Sequence, residues 1–166
     1  MNSSISVRKA RLKDIPEILK MWKVFMSEHD MMVVSKNPSL KPHYDMLKTG
    51  PGDFERYARN NIHSKNAIIF LAEKDGKIIG YCLCRIKRNI PIFKVTHLGH
   101  IGDLYVKKEY RKLGISSMFK NEALKWFKSK GIKYSSIMVS PENSRARGIY
   151  KKWGFTDYHL ELRKRI

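Results

Sequence analysis

Long apolar runs are missing from this 166-residue chain, and no window approaches the roughly 18 apolar residues that span a bilayer. The opening residues MNSSISVRKARLKD also lack the apolar segment of a secretory signal, so a cytoplasmic protein without membrane contact is expected. Cysteine is scarce. The two that occur, Cys82 and Cys84, stand two apart in IIGYCLCRI and leave the same face of a strand, poor geometry for a mutual disulfide. No histidines stand at ligand spacing from them, so zinc is not expected, nor any other metal. Acidic residues are few as well, 15 against 34 Lys and Arg, for a net charge of +19. That imbalance suits a polyanionic partner such as nucleic acid or a ribosome, or simply a solvated lysine-rich surface. An RNP aromatic motif, zinc-finger spacing and a basic zipper are all absent, so a nucleic-acid-binding role rests on charge alone. Repeats, low-complexity tracts and linkers are absent too, and residues 1–166 are expected to form a single domain.

What is present reads as a folded mixture of helices and strands, 42% hydrophobic and 30% charged. ISVRKA (5–10) alternates as a short strand. In the stretch from Leu12 to Asp30, Asp14 stands where an N-cap should be and Glu17 follows at capping-box spacing. Ile18, Leu19, Trp22, Phe25 and Met26 then recur at helical intervals. Residues 31–52 are irregular, and 53–62 read as a second helix. Residues 67–88 are two apolar strands around EKDGK, whose Asp-Gly pair favours a tight hairpin turn. HLGHIGDLYV (97–106) is another strand, and 115–131 a strong helix with Gly131 as its stop. IKYSSIMV (132–139), PENSRARGIYKKWG (141–154) and FTDYHLELRKR (155–165) read as strand, helix and strand.

The junction YRKLGISS deserves separate treatment. Four amides at a helix start have no partner within the helix, and the helix dipole makes that end electropositive. Gly114 removes a side chain that would block approach, Ser116 and Ser117 are small, and Arg111 and Lys112 add charge. Together they suit a phosphate-type anion, although neither GxxxxGK[ST] nor GxGxxG is present.

Read with VSPENSRARGIYKKWGF some 30 residues on, LYVKKEYRKLGISSMF resembles the GNAT superfamily of acyl-CoA-dependent N-acetyltransferases. The pattern [R/Q]-x-x-G-x-[G/A] falls on Arg111, Gly114 and Ser116, the serine being its one irregular position. The pattern N-x-x-A-x-x-x-Y-x-x-x-G-F falls on Asn143, Ala146, Tyr150, Gly154 and Phe155. The resemblance implies an α+β fold: a mixed, mostly antiparallel sheet flanked by four helices, with two splayed parallel strands forming a CoA cleft.

It also implies acetyl-CoA as cosubstrate, with its pyrophosphate on Lys112, Leu113, Gly114, Ile115, Ser116 and Ser117 beside Arg111. The pantetheine arm is implied along Leu104, Tyr105 and Val106, with a hydrogen bond from Asn143. Tyr150 takes the place of the family's general acid for the departing thiolate. An attacking amine must be neutral, so a base is needed. Gly102 stands where many members carry glutamate, which leaves Asp103 as first candidate, with His100, His97, Glu73 or a water chain open. For the amine acceptor, a peptide or protein N-terminus, a lysine or a small amine, candidate lining residues are Phe25, Glu28, His29, Asp30 and Tyr158. A homodimer and a CoA-binding sensor without catalysis both remain open.

Overall fold

The Asp-Gly pair turns as its chemistry demands. Asp75 and Gly76 both adopt positive φ, 51° and 71°, the two-residue turn that matches strand twist. It joins β2 (Ala67–Lys74) to β3 (Lys77–Arg88), with Lys74 directly opposite Lys77. In the computed structural model, which describes residues 4–166, this hairpin is the centre of a five-stranded sheet ordered β1-β2-β3-β4-β5. β1 (Ser6–Lys9) flanks β2, and β4 (His97–Val106) flanks β3, all antiparallel. Only β5 (Ser135–Ile137) runs parallel to its neighbour β4.

Alternation along these strands buries both faces. Ile69, Leu71, Tyr81, Leu83 and Tyr105 pack beneath α1 (Ile15–Val34) and α2 (Gly50–His63), against Ile18, Met21, Phe54 and Ala58. On the other face Phe70, Cys82, Cys84 and Ile101 meet Ile115, Phe119, Ala123 and Phe127 of α3 (Ile115–Ser129). Cys82 and Cys84 are thus core residues with free thiols on one face. The fourth helix, α4 (Ser144–Lys152), follows β5 and has no fully buried residue. This is the mixed, mostly antiparallel α+β sheet with four helices expected from the sequence. Among the described residues, no helix is long and apolar enough to cross a membrane.

Several local expectations need correction. Asp14 does occupy the N-cap position of α1, but its carboxylate does not cap. It accepts two hydrogen bonds from the Arg8 guanidinium, at 2.7 and 3.0 Å, and one from the Arg11 N–H. Arg8 also meets Glu73 at 2.6 Å, so a triad ties β1, β2 and the start of α1 together. Arg8 holds the Asp14 carboxyl below its usual range, burial opposing. Glu17 turns instead to Lys107, at 2.8 Å. α1 runs four residues beyond Asp30 because Val33 is wholly buried. α2 begins three residues earlier than expected, at Gly50.

The last two strand expectations fail in part or whole. Of residues 132–139 only Ser135–Ile137 pair. Residues 155–165 form no strand. The short β5 offers little edge to pair with, and Asp157 is drawn to α4 by Arg147 at 2.8 Å and Lys151 at 2.6 Å.

Gly99 shows how closely α3 is seated on β4. A Cβ there would lie 2.4 to 2.6 Å from ring atoms of the buried Phe127. We expect Gly99→Ala to cost about 1–3 kcal/mol through displacement of that ring, read as a lower urea midpoint. Gly102→Ala meets its nearest neighbour at 3.5 Å and should cost less.

Candidate active site

β4 contains one residue more than its partner. Leu83 pairs with Asp103 and Cys84 with Ile101, leaving Gly102 as a bulge. On the far side, β5 pairs with β4 only from Gly99 to Ile101, the residue before the bulge. Backbone polarity changes across it. The Gly99 N–H donates to Tyr134 O on the β5 side, whereas the Lys107 N–H donates to Ile79 O on the β3 side. Alternation therefore turns Leu104 and Val106 toward β5, where no strand meets them. The two strands diverge into a cavity of about 1200 Å³, walled by Leu104, Tyr105 and Val106 on one side and Met138, Val139 and Ser140 on the other.

One end of the cavity is the start of α3. Lys112 (φ 70°) and Gly114 (φ 77°) both adopt left-handed backbone, which turns successive N–H groups outward. Among the described residues none accepts a hydrogen bond from the amides of Lys112 through Ser116. A Cβ on Gly114 would meet nothing within 4 Å, so the space above it is open. Ser117 belongs to the helix instead: its N–H bonds Gly114 O at 3.0 Å, and it does not line the cavity. Leu113 is also outside, half-exposed to solvent. The charge of Arg111 is already engaged. Its Nε donates to Val106 O, and its guanidinium meets Glu28 at 2.5 Å over the Tyr105 ring. Lys112 and Arg145 are the cations left to the cradle, lining the cavity without an ion pair among the described residues.

α4 forms the opposite wall. Asn143 caps it, its Oδ1 accepting from the Ala146 N–H at 3.1 Å, so only the Asn143 amide NH₂ remains for a ligand. Ala146, Ile149, Tyr150 and Trp153 share the inward face and are half-buried because that face meets the cavity, not the sheet. Tyr150 packs against Trp153 and Phe155, and burial raises its phenol to about 12. Among the described residues none bonds its hydroxyl.

Asp103 lies at the floor, just past the bulge. It accepts a hydrogen bond from the buried Tyr81 hydroxyl at 3.2 Å. Burial raises its carboxyl above the ordinary range, with Tyr81 and then Arg85 opposing. His100 also lines the cavity, its Nδ1 2.9 Å from Ser136 Oγ, but burial, then Lys87 and Arg85, push it down to about 4. Two other candidates are elsewhere. Glu73 is held by Arg8, and His97 pairs with Thr96 Oγ1 on the exposed end of β4.

On the α1 side, Phe25, Glu28 and His29 line the cavity, and burial holds His29 below its usual range. Asp30 and Tyr158 do not. Asp30 turns away to Lys41 at 3.2 Å, and Tyr158 is 82% exposed, edge-on to His159. The sequence reading missed Arg85 and Lys87, His43 and Tyr44, and the stretch Leu160 to Arg163, all of which reach the cavity. A signal existed for the first pair: the apolar positions Tyr81 and Leu83 give way to bases at the same alternation.

A sequence profile of the acetyltransferase (GNAT) family matches residues 37–155. The chain is 27% identical over 158 residues to an N-alpha-acetyltransferase of Sulfurisphaera tokodaii, spanning 91% of this chain and 80% of that protein. An acetyltransferase of Clostridium acetobutylicum, solved with acetyl-CoA, shares the fold at a TM-score of 0.77 and 21% identity over 96% of both chains. An aminoglycoside N-acetyltransferase in complex with CoA does so at 0.76 and 15%, over 100% of this chain and 97% of that one.

The Tyr81 hydrogen bond opposes the upward push of burial on Asp103. In Tyr81→Phe the Asp103 carboxyl should therefore titrate higher still, followed by its carboxyl carbon shift in NMR. A lower value would contradict this account of the floor.

Proposed function

The chain belongs to the acetyltransferase (GNAT) family, an acyl-CoA-dependent N-acetyltransferase by that membership, and we propose that it moves acetyl from acetyl-CoA to a primary amine by direct attack in a ternary complex. The observation that carries this reading is the split between β4 and β5. There an unpaired strand edge, a run of free amides and an unbonded phenol face one cavity among the described residues. The amides of Lys112 to Ser116 would hold the pyrophosphate, with Lys112 and Arg145 supplying charge. Leu104 and Val106 would bond the pantetheine arm as an added strand, and a backbone N–H there would receive the developing oxyanion. The relative named an N-alpha-acetyltransferase is 27% identical to this chain, against 15% for the aminoglycoside enzyme, which favours a peptide or protein N-terminus over a sugar amine.

In the transfer, the neutral amine attacks the thioester carbon, a C–N bond forms, and the C–S bond breaks. Asp103 takes the proton the amine must lose, directly or through one water. His100 is a poor alternative, because an imidazole at about 4 holds a proton too weakly. Tyr150 donates a hydrogen bond to the departing sulfur. With its phenol near 12 and an ordinary thiol near roughly 8.5, full transfer from Tyr150 is uphill. The proton that finally rests on the thiol is balanced by the one the amine gives up.

Two variants separate the roles. Tyr150→Phe should lower kcat by roughly 10- to 100-fold with CoA affinity unchanged, read by thiol release and calorimetry. Unaltered turnover removes the assignment. Asp103 acts ionised and its carboxyl is raised, so activity should fall with decreasing pH above the ordinary carboxylate range. Asp103→Asn should abolish that acid limb, and a limb left unmoved would place the base elsewhere.

A further inference from the structure

One face of β3 changes character halfway along. Tyr81 and Leu83 are buried beneath α1 and α2. The next two residues on that face, Arg85 and Lys87, line the cavity. His100 stands opposite Arg85 across the ladder, and Asp103 stands opposite Leu83. The basic pair is therefore on the acceptor side of the proposed base, away from the amide cradle at the start of α3. Burial, then Arg85, holds Lys87 below the usual lysine range.

The cavity carboxylates leave this charge without an ion pair, although Asp103 is close enough for Arg85 to hold its carboxyl lower. Four acidic side chains line it, and each has a partner already. Glu28 meets Arg111, Glu161 meets Arg163, Glu142 meets Ser140, and Asp103 meets Tyr81. Among the described residues, Arg85 and Lys87 have no ion pair, and Arg85 Nε is buried without a hydrogen-bond acceptor. Nor is Arg85 loose, because its guanidinium stacks 5.3 Å over the Tyr57 ring. A positioned guanidinium with a buried, unbonded Nε, beside a lysine, is suited to a carboxylate, which its planar fork can bind through two parallel hydrogen bonds.

We propose that the acceptor carries a carboxylate on the same molecule as its amine, held by Arg85 and Lys87 while the amine points to Asp103. The inference rests on the acetyl-transfer reading above. With about 3.4 Å per strand residue, Arg85 lies about 7 Å and Lys87 about 14 Å along β3 from Leu83, the residue opposite Asp103. The nearer distance suits the α-carboxylate of a free amino acid. The farther suits an acidic side chain one or two residues into a peptide. A polycationic amine would bring like charge onto two cations that have no counter-ion, and the net charge of +19 opposes its approach.

The test uses the full chain loaded with CoA for calorimetry, and with acetyl-CoA for thiol release. Three peptides begin with serine and differ only at positions 2 and 3, carrying Glu-Glu, Gln-Gln or Lys-Lys, with free glutamate as a fourth probe. The Glu-Glu peptide should bind about tenfold tighter than Gln-Gln and lead in kcat/KM. The double variant Arg85→Met with Lys87→Met should bring the two within about twofold while acetyl-CoA affinity holds. Glutamate binding in place of the peptide supports the carboxylate site and assigns it to a small amino acid. Equal binding of the three peptides, a preference for Lys-Lys, a Glu preference that survives the double variant, or no binding by any probe overturns the proposal. Glu-selective binding without thiol release leaves the carboxylate site standing and overturns acetyl transfer. Turnover without any Glu preference does the reverse.

Discussion

The site depends on a single extra residue in β4. A regular strand would send Leu104 and Val106 toward the opposite side and let β5 continue its ladder past Ile101. The bulge at Gly102 prevents both. It ends the parallel pairing after three residues and turns the freed backbone groups into the gap. The same shift keeps Asp103 on the face of Tyr81, where their hydrogen bond forms. Glycine is not required there for space, since a Cβ would make only ordinary contacts. What matters is the count of residues, not the identity of the bulged one. A glutamate at this position would extend from beside His100, and in its absence Asp103, the next residue, is the carboxylate at the cavity floor.

Charge is distributed with the same economy. Three sets of ion pairs hold α1 and its N-cap to the sheet: Arg8 with Asp14 and Glu73, Lys107 with Glu17, and Arg111 with Glu28. Asp14, Glu17 and Glu28 stand along the helix start and middle, so the helix that walls the cavity is referenced to β1 and to the segment after β4 at three places, the last at the cavity itself. Such pairs are only partly buried, and their net contribution to stability is modest. Their effect is geometric. Because Arg111 is committed to Glu28 and the Val106 carbonyl, a phosphate at the start of α3 would rely on the amides, with Lys112 and Arg145 as the cations on the cavity there.

Much of this was legible in the sequence where one rule decided the outcome. The Asp75-Gly76 turn, the stripe of α3 and the stop at Gly131 follow from local chemistry alone. Failures occurred where a local rule met a partner that the rule does not consider. Asp14 had the right position for a cap, but the Arg8 guanidinium, six residues earlier on β1, engages its carboxylate instead of the helix amides. FTDYHLELRKR alternates as a strand should, yet a strand needs an edge, and three-residue β5 gives it almost none. The motif at Arg111 to Ser116 falls on the run of unbonded amides at the start of α3. It could not show that Arg111 faces Glu28, or that the Ser117 amide is already used within α3.

Burial sorts the candidate proton carriers more decisively than charge does. Taking any group out of water disfavours its charged form, so acids rise and bases fall. Asp103 rises, which makes its carboxylate a better proton acceptor than one in water. Tyr150 rises to about 12, so it stays protonated at neutral pH and remains a hydrogen-bond donor. His100, in the same cavity, falls to about 4 and loses the basicity that would otherwise have made it the natural choice. One physical effect thus raises both the carboxyl at the floor and the phenol on the α4 wall, which is the combination the proposed transfer calls for. The acceptor proposed above follows the same geometry. Arg85 is fixed over the Tyr57 ring with its Nε buried and unbonded, and an arriving carboxylate would supply the acceptor that this nitrogen lacks.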